Sequence, residues 1–144
     1  MLGSTVMDTD ALVAAVRSDR GASRVLLTAA LERRYEVLAS VPLMLQYESV
    51  LTRSEHLIAA GVSEEDVHVL LDAIALVARP VRISYLWRPM LPDPGDDLVL
   101  ETAVNGQAEA VITFNRRHLE PAAARFGIEI LAPAEAVRRL EGRS

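Results

Sequence analysis

Apolar and polar residues follow two patterns along this chain: short continuous apolar runs, and longer stretches with apolar positions at helical spacing. Leu2 to Met7 is the first short run and predicts a buried strand. Ala11 to Arg17 predicts a helix, broken near Asp19-Arg20-Gly21. A second helix is expected over Ala22 to Arg34, with Val25, Leu26, Ala29 and Ala30 on one face. Tyr35 to Ser40 predicts the second strand, and Pro42 suits the first turn of a helix running from Leu43 to about Leu51. Gly61 ends the region that follows. Ser63 can cap a helix whose first turn holds Glu64, Glu65 and Asp66, and that helix is expected to reach Ala78 before Pro80.

The second half repeats the alternation. Val81 to Tyr85 predicts a third strand, and Leu86 to Gly95, with prolines at 89, 92 and 94, a loop. A helix should open at Asp96 or Asp97 and end at Asn105-Gly106. Ala110 to Thr113 and Ile128 to Leu131 predict strands four and five, with helices over Arg116 to Phe126 and Pro133 to Leu140. Strands alternating with helices imply an α/β three-layer sandwich, with a central parallel sheet of about five strands and helices on both faces. At 144 residues the chain is expected to form one domain, 1–144.

Composition narrows the chemistry. Hydrophobic residues make up 51% and aromatic ones only 4%, so Leu, Val and Ala fill the core. With no cysteine, thiolate zinc sites and cysteine nucleophiles are excluded. All 15 basic residues are arginine, which excludes lysine chemistry and a Walker-type phosphate loop. The net charge of −5 argues mildly against a dedicated nucleic-acid binder. No apolar run approaches the roughly 20 residues of a spanning helix, and no basic region precedes an apolar run at the N-terminus. A soluble cytoplasmic protein, with no membrane partner, is the expectation.

The acids supply candidate chemistry. Asp8 and Asp10 follow the first strand, and Asn115 follows the fourth. In a parallel sheet the C-terminal ends of the strands face the ligand-binding crevice. Asp96 and Asp97 open a helix at the same rim, with Asp93 as a loop acid before them. Glu48 borders the apolar face formed by Leu43, Met44, Tyr47, Val50 and Leu51. Each residue alone is more often a helix cap or a solvated flank. Together they bring carboxylates from distant segments towards one point. Two such charges ~4 Å apart repel by about 4 kcal/mol at an effective dielectric of 20, so a cluster calls for a cation. Hard oxygen ligands suit Mg²⁺ or Mn²⁺. Arg116 and Arg117 beside the rim are candidate contacts to a phosphodiester backbone, with Arg17, Arg20 and Arg24 extending the track. His56 and His68 read as solvated helix residues, and His118 as a weak candidate near the rim.

These segments, in this order, resemble a PIN domain, in particular the VapC-like subgroup described as the toxin component of toxin–antitoxin pairs. The resemblance spans nearly the whole chain. It rests on Met7-Asp8-Thr9-Asp10-Ala11-Leu12, Tyr47-Glu48-Ser49-Val50-Leu51, Asp93-Pro94-Gly95-Asp96-Asp97-Leu98, Ile112-Thr113-Phe114-Asn115 and Gly127-Ile128-Glu129-Ile130-Leu131. It implies a Mg²⁺- or Mn²⁺-dependent ribonuclease with Asp8, Glu48, Asp97 and Asn115 as catalytic residues. Asp96 and Asp10 would be further metal ligands, with an RNA substrate, an antitoxin partner and a homodimer. Asp10 stands where the family usually has Asn, and Asn115 where Asp is common. Two rival readings remain. One is a non-catalytic PIN-like interaction module, which the acidic charge and apolar helix faces suit. The other is a haloacid-dehalogenase-like phosphatase, whose Asp-x-Asp pair Asp8-Thr9-Asp10 resembles.

Overall fold

A computed structural model of the chain describes residues 2–84 and 94–142, with Pro94 described for its backbone alone. Three strands form a parallel ladder: β1 (Thr5–Met7), β4 (Ala110–Ile112) and β5 (Glu129–Leu131), in the order β1-β4-β5. β2 (Leu38–Ala39) pairs in parallel with β3 (Arg79–Pro80). A parallel bridge between Thr5 and Val37 joins the two ladders, and the Thr5 N–H donates to the Glu36 carbonyl at 2.9 Å. The strands therefore lie in the order 3-2-1-4-5, all parallel. The order reverses direction between β1 and β4, which is the switch point where open α/β sheets bind ligands.

The α/β parallel architecture matches the sequence expectation. The predicted strands are shorter in the structure, and the third differs in place. The chain pairs at Arg79–Pro80, and residues 81–84 form no strand, although the Val81 N–H still donates to the Ala39 carbonyl at 2.8 Å. Tyr85, most of the predicted loop and Asp93 lie outside the described residues.

Among the described residues eight helices surround the strands: α1 (Thr9–Arg17), α2 (Ala22–Leu31), α3 (Val41–Leu51), α4 (Ser54–Ala60), α5 (Glu64–Val77), α6 (Pro94–Asn105), α7 (Arg116–Ala124) and α8 (Pro133–Leu140). α4 was not among the predicted elements. It is seven residues long, has no buried residue and ends at Gly61 with φ 69°, so little apolar periodicity marks it. α5 begins as its sequence suggests: the Ser63 hydroxyl accepts from the Asp66 N–H while Asp66 accepts from the Ser63 N–H.

α3 fixes the geometry that matters. Leu43, Tyr47 and Leu51 are buried, one turn apart. They seat the helix on the core, and the buried Tyr47 hydroxyl donates to the Met7 carbonyl at the end of β1. Burial, reinforced by the negative charge of Asp8, pushes the Tyr47 phenol upward, so it stays a neutral donor. Residues on either side of the Leu43–Tyr47–Leu51 stripe face opposite flanks of the helix.

Candidate active site

A cleft of about 380 Å³ opens at the switch point. Its floor comes from the segment after β1. Asp8 is 4% exposed and caps α1, its Oδ1 accepting from the Thr9 N–H at 2.7 Å. Its Oδ2 accepts from the Thr113 hydroxyl at 2.6 Å. This contact follows from strand register: Met7 is paired with Ile112, so the next residue of each strand meets its counterpart. Asp8 is thus a cap and an oriented carboxylate of the cleft at once; the two readings do not compete.

Asp10 lines the same cleft from the first turn of α1. Its carboxylate accepts long contacts from the Phe114 N–H at 3.3 and 3.4 Å. Its pKa is raised above the ordinary 3.8, first by desolvation and further by the negative charge of Asp96, against the lowering effect of its hydrogen bonds. Asp96, 5% exposed at the start of α6, therefore lies within electrostatic reach of Asp10. Asn115 completes this side. It precedes α7, but its side chain makes no capping hydrogen bond; its N–H donates to the Thr113 hydroxyl at 2.8 Å. The cap reading thus fails for the Asn115 side chain, which lines the cleft instead.

Two expected positions move. Asp97 is buried at 3% exposure but does not line the cleft; its neighbours Gly95 and Asp96 do. Glu48 is not brought to the rim. It faces the opposite flank of α3, pairing with His68 Nε2 at 3.3 Å in an apolar groove of about 350 Å³ lined by Met44, Leu45 and Leu71. The residue that α3 delivers to the cleft is Gln46. Residues two apart on a helix point about 200° apart, so both cannot serve one site. The Gln46 Nε2 donates to the Thr9 hydroxyl at 3.1 Å, while its Oε1 is buried with no hydrogen-bond partner among the described residues.

The arginines also sort differently. Arg116 is committed to structure: it bonds the Ile130 carbonyl at 2.8 Å and pairs with Glu135 at 2.5 Å and Glu120 at 3.3 Å. Arg24 donates to the Ala15 carbonyl at 2.6 Å. Arg17 ends α1, about 12 Å along the helix axis from its start at the cleft, and Arg20 lies beyond it. Arg117 is exposed on α7. The cationic wall of the cleft is instead Arg53, at the α3–α4 corner, with His56 beside it. Sequence reasoning does not name Arg53 and reads His56 as a solvated helix residue, because the turn between α3 and α4 that brings both to the cleft leaves no apolar signal.

The donor set can be weighed against a divalent cation. Among the described residues no three His, Cys, Asp or Glu side chains group closely enough to form an all-protein cage. Mg²⁺ does not require one: it keeps several waters and takes one or two carboxylates. Asp8, Asp10, Asp96, Asn115 and Gln46 all line the cleft, so one or two of these carboxylates with the Gln46 Oε1 and waters would make a mixed oxygen set of that kind. A buried acceptor without a donor costs about 1–3 kcal/mol, which a cation or its water would relieve. The residues present therefore fit a hydrated Mg²⁺ or Mn²⁺.

No curated protein sequence matches the chain. Among solved structures, it resembles a VapBC2 complex from Rickettsia felis bound to a DNA fragment from their promoter, at a TM-score of 0.59 and 12% identity. The match covers 90% of this chain and 98% of that one, and at such identity it speaks for the fold. Among the described residues no helix is long and apolar enough to cross a membrane. The sequence profile of the PIN domain matches residues 4–117, most of the length, and the chain belongs to the PIN domain family.

Proposed function

We propose that this protein is a Mg²⁺- or Mn²⁺-dependent endoribonuclease, the toxin of a toxin–antitoxin pair. The observation that carries this reading is the convergence of Asp8, Asp10 and Asp96, from two segments far apart in the chain, on one cleft at the sheet's switch point. PIN family membership supports a nuclease over the phosphatase alternative. The likeness to a VapBC2 complex supports an antitoxin partner.

Asp8, Asp96 and Gln46 would hold the ion, with Asn115 placing a bound water. When bound, a divalent ion supplies charge stabilisation at the phosphoryl oxygens and acidifies water. The chain's own part is positioning and proton transfer. The two hydrogen bonds to Asp8 hold its carboxylate in one orientation. Asp10, destabilised as an anion by burial and by Asp96, would accept at a carboxylate oxygen the proton of the water that attacks phosphorus, while the P–O bond to the ribose oxygen breaks and that oxygen takes a proton from solvent. The N-termini of α1 and α7 also meet at this cleft, and their dipoles favour the negative charge that develops on phosphate.

Cleavage of single-stranded RNA in Mn²⁺, stopped by chelation and by Asp8→Asn, is the expected result. RNA cut equally fast by Asp8→Asn would rule the cleft out. The exposed apolar residues Val41, Leu45 and Leu76 support a protein partner, an antitoxin or a second copy in a homodimer. That no three-residue acid cage forms among the described residues favours a second reading, a PIN-fold module that binds a partner and cuts nothing. Partner binding untouched by Asp8→Asn, with no Mn²⁺ uptake by the native chain, would favour it.

A further inference from the structure

The acids of the cleft have a problem of their own: the substrate is an anion too. A phosphodiester approaching Asp8, Asp10 and Asp96 is repelled unless positive charge stands on the other side. The structure supplies it at the α3–α4 corner. We propose that Arg53 and His56 form the phosphate-holding subsite of the cleft, receiving a phosphodiester of single-stranded RNA opposite the carboxylates. The proposal rests on the ribonuclease reading and adds to it the residues that hold the substrate.

Three observations carry it. First, both side chains line the same cleft as Asp8, Asp10 and Asp96. Second, Arg53 is unengaged: among the described residues its side chain makes no hydrogen bond and no ion pair. Arg24, Arg79, Arg116 and Arg139 are all tied to carboxylates or carbonyls. An arginine left unpaired beside carboxylates, in a chain with more acids than arginines, has its donors available for a ligand. Third, among the described residues the buried His56 Nδ1 has no hydrogen-bond partner, so no hydrogen bond at that nitrogen commits the ring to another part of the fold.

The corner that carries them is well fixed. The Thr52 N–H donates to the Glu48 carbonyl, the Arg53 N–H to Val50, and the Leu57 N–H to Arg53, at 3.1 to 3.2 Å. Arg53 itself is extended, with φ −63° and ψ 136°, where α3 ends and α4 begins. A guanidinium set on a fixed turn presents its fork with little loss of freedom, which suits phosphate better than a mobile surface arginine.

The test is the binding of a short single-stranded RNA by fluorescence anisotropy over a range of salt. Ca²⁺ replaces Mn²⁺, and gels confirm that the RNA stays intact. Arg53→Gln should weaken binding about tenfold and lower the salt slope by about 0.7, the share of one phosphate contact on a single strand. Arg53→Lys should keep the slope and recover part of the affinity, and His56→Ala should weaken binding about threefold. Mn²⁺ uptake, measured by calorimetry without RNA, should be unchanged in all three. An Arg53→Gln variant that is folded by circular dichroism but binds RNA with native affinity and slope overturns the proposal. Loss of Mn²⁺ uptake in Arg53→Gln would also overturn it, by moving Arg53 to the metal side. A native chain that takes up no Mn²⁺ would instead defeat the ribonuclease reading, and the salt slope would still decide the role of Arg53.

Discussion

Two clefts of nearly equal size open on the two flanks of α3, about 380 Å³ on one side and about 350 Å³ on the other. Each holds a polar side chain from the same turn of the helix. On one flank Gln46 joins Asp8, Asp10, Asp96 and Asn115. On the other, Glu48 joins His68 among aliphatic side chains of α3 and α5. The acid that looks catalytic in the sequence is in the apolar groove, and the amide that looks unremarkable is in the polar cleft. A carboxylate by itself does not make a site; what surrounds it does. Glu48 and His68 are both about half exposed, so their pairing is solvated and weak. Asp10 faces desolvation and another acid, the environment in which a carboxylate changes its protonation.

The largest expected effect removes the distinction altogether. Leu43→Ala at a fully buried position should cost about 2–5 kcal/mol in denaturant unfolding and loosen both flanks together. Asp8→Asn comes next, acting on the polar cleft alone: RNA cleavage should fall more than about 100-fold with the fold intact. Gln46 then separates the flanks directly. Gln46→Leu should weaken Mn²⁺ uptake about tenfold, and Gln46→Glu should strengthen it by a similar factor, read by calorimetry.

A smaller effect concerns pH. Asp10 has a folded-state pKa above its ordinary 3.8, so the native chain binds more protons there than the unfolded one, and ionisation of Asp10 lowers stability as pH rises past that value. Without metal, Asp10→Asn should therefore raise the unfolding midpoint by a few degrees at pH 7, and the gain should shrink as pH falls and vanish well below 3.8, where both states are protonated. The smallest effect is on the apolar flank. Glu48→Gln should change stability by no more than about 1 kcal/mol and leave cleavage within twofold of native.

Much of this was legible in the sequence, and the parts that were not have physical reasons. The alternation of strands and helices, the parallel sheet, and the place of Asp8, Asp10, Asp96 and Asn115 at its rim follow from strand ends, which period and turn residues mark well. Asp8 and Asn115 sit beyond paired residues of adjacent strands, so the strand order alone brings them together. The flank of α3 was not legible. Leu43, Tyr47 and Leu51 define the buried stripe, and Gln46 and Glu48 stand about equally far to either side of it. Choosing between them requires the direction in which α3 crosses the sheet, which a one-dimensional pattern does not contain. Asp97 directly precedes the apolar run of α6, which makes it the more prominent acid in the sequence, yet that nearness buries it away from the cleft. Arg53 goes unmarked and His56 reads as solvated because the seven residues of α4 bury nothing and so leave no periodic signal.

The central claim is that the flank of α3 carrying Gln46, not the one carrying Glu48, builds the metal site. Titrating Mn²⁺ into Asp8→Asn, Gln46→Leu and Glu48→Gln by calorimetry tests it most directly. The account predicts no uptake in the first, uptake weakened about tenfold in the second, and native uptake in the third. Native uptake by Gln46→Leu, together with loss of uptake in Glu48→Gln, would contradict it.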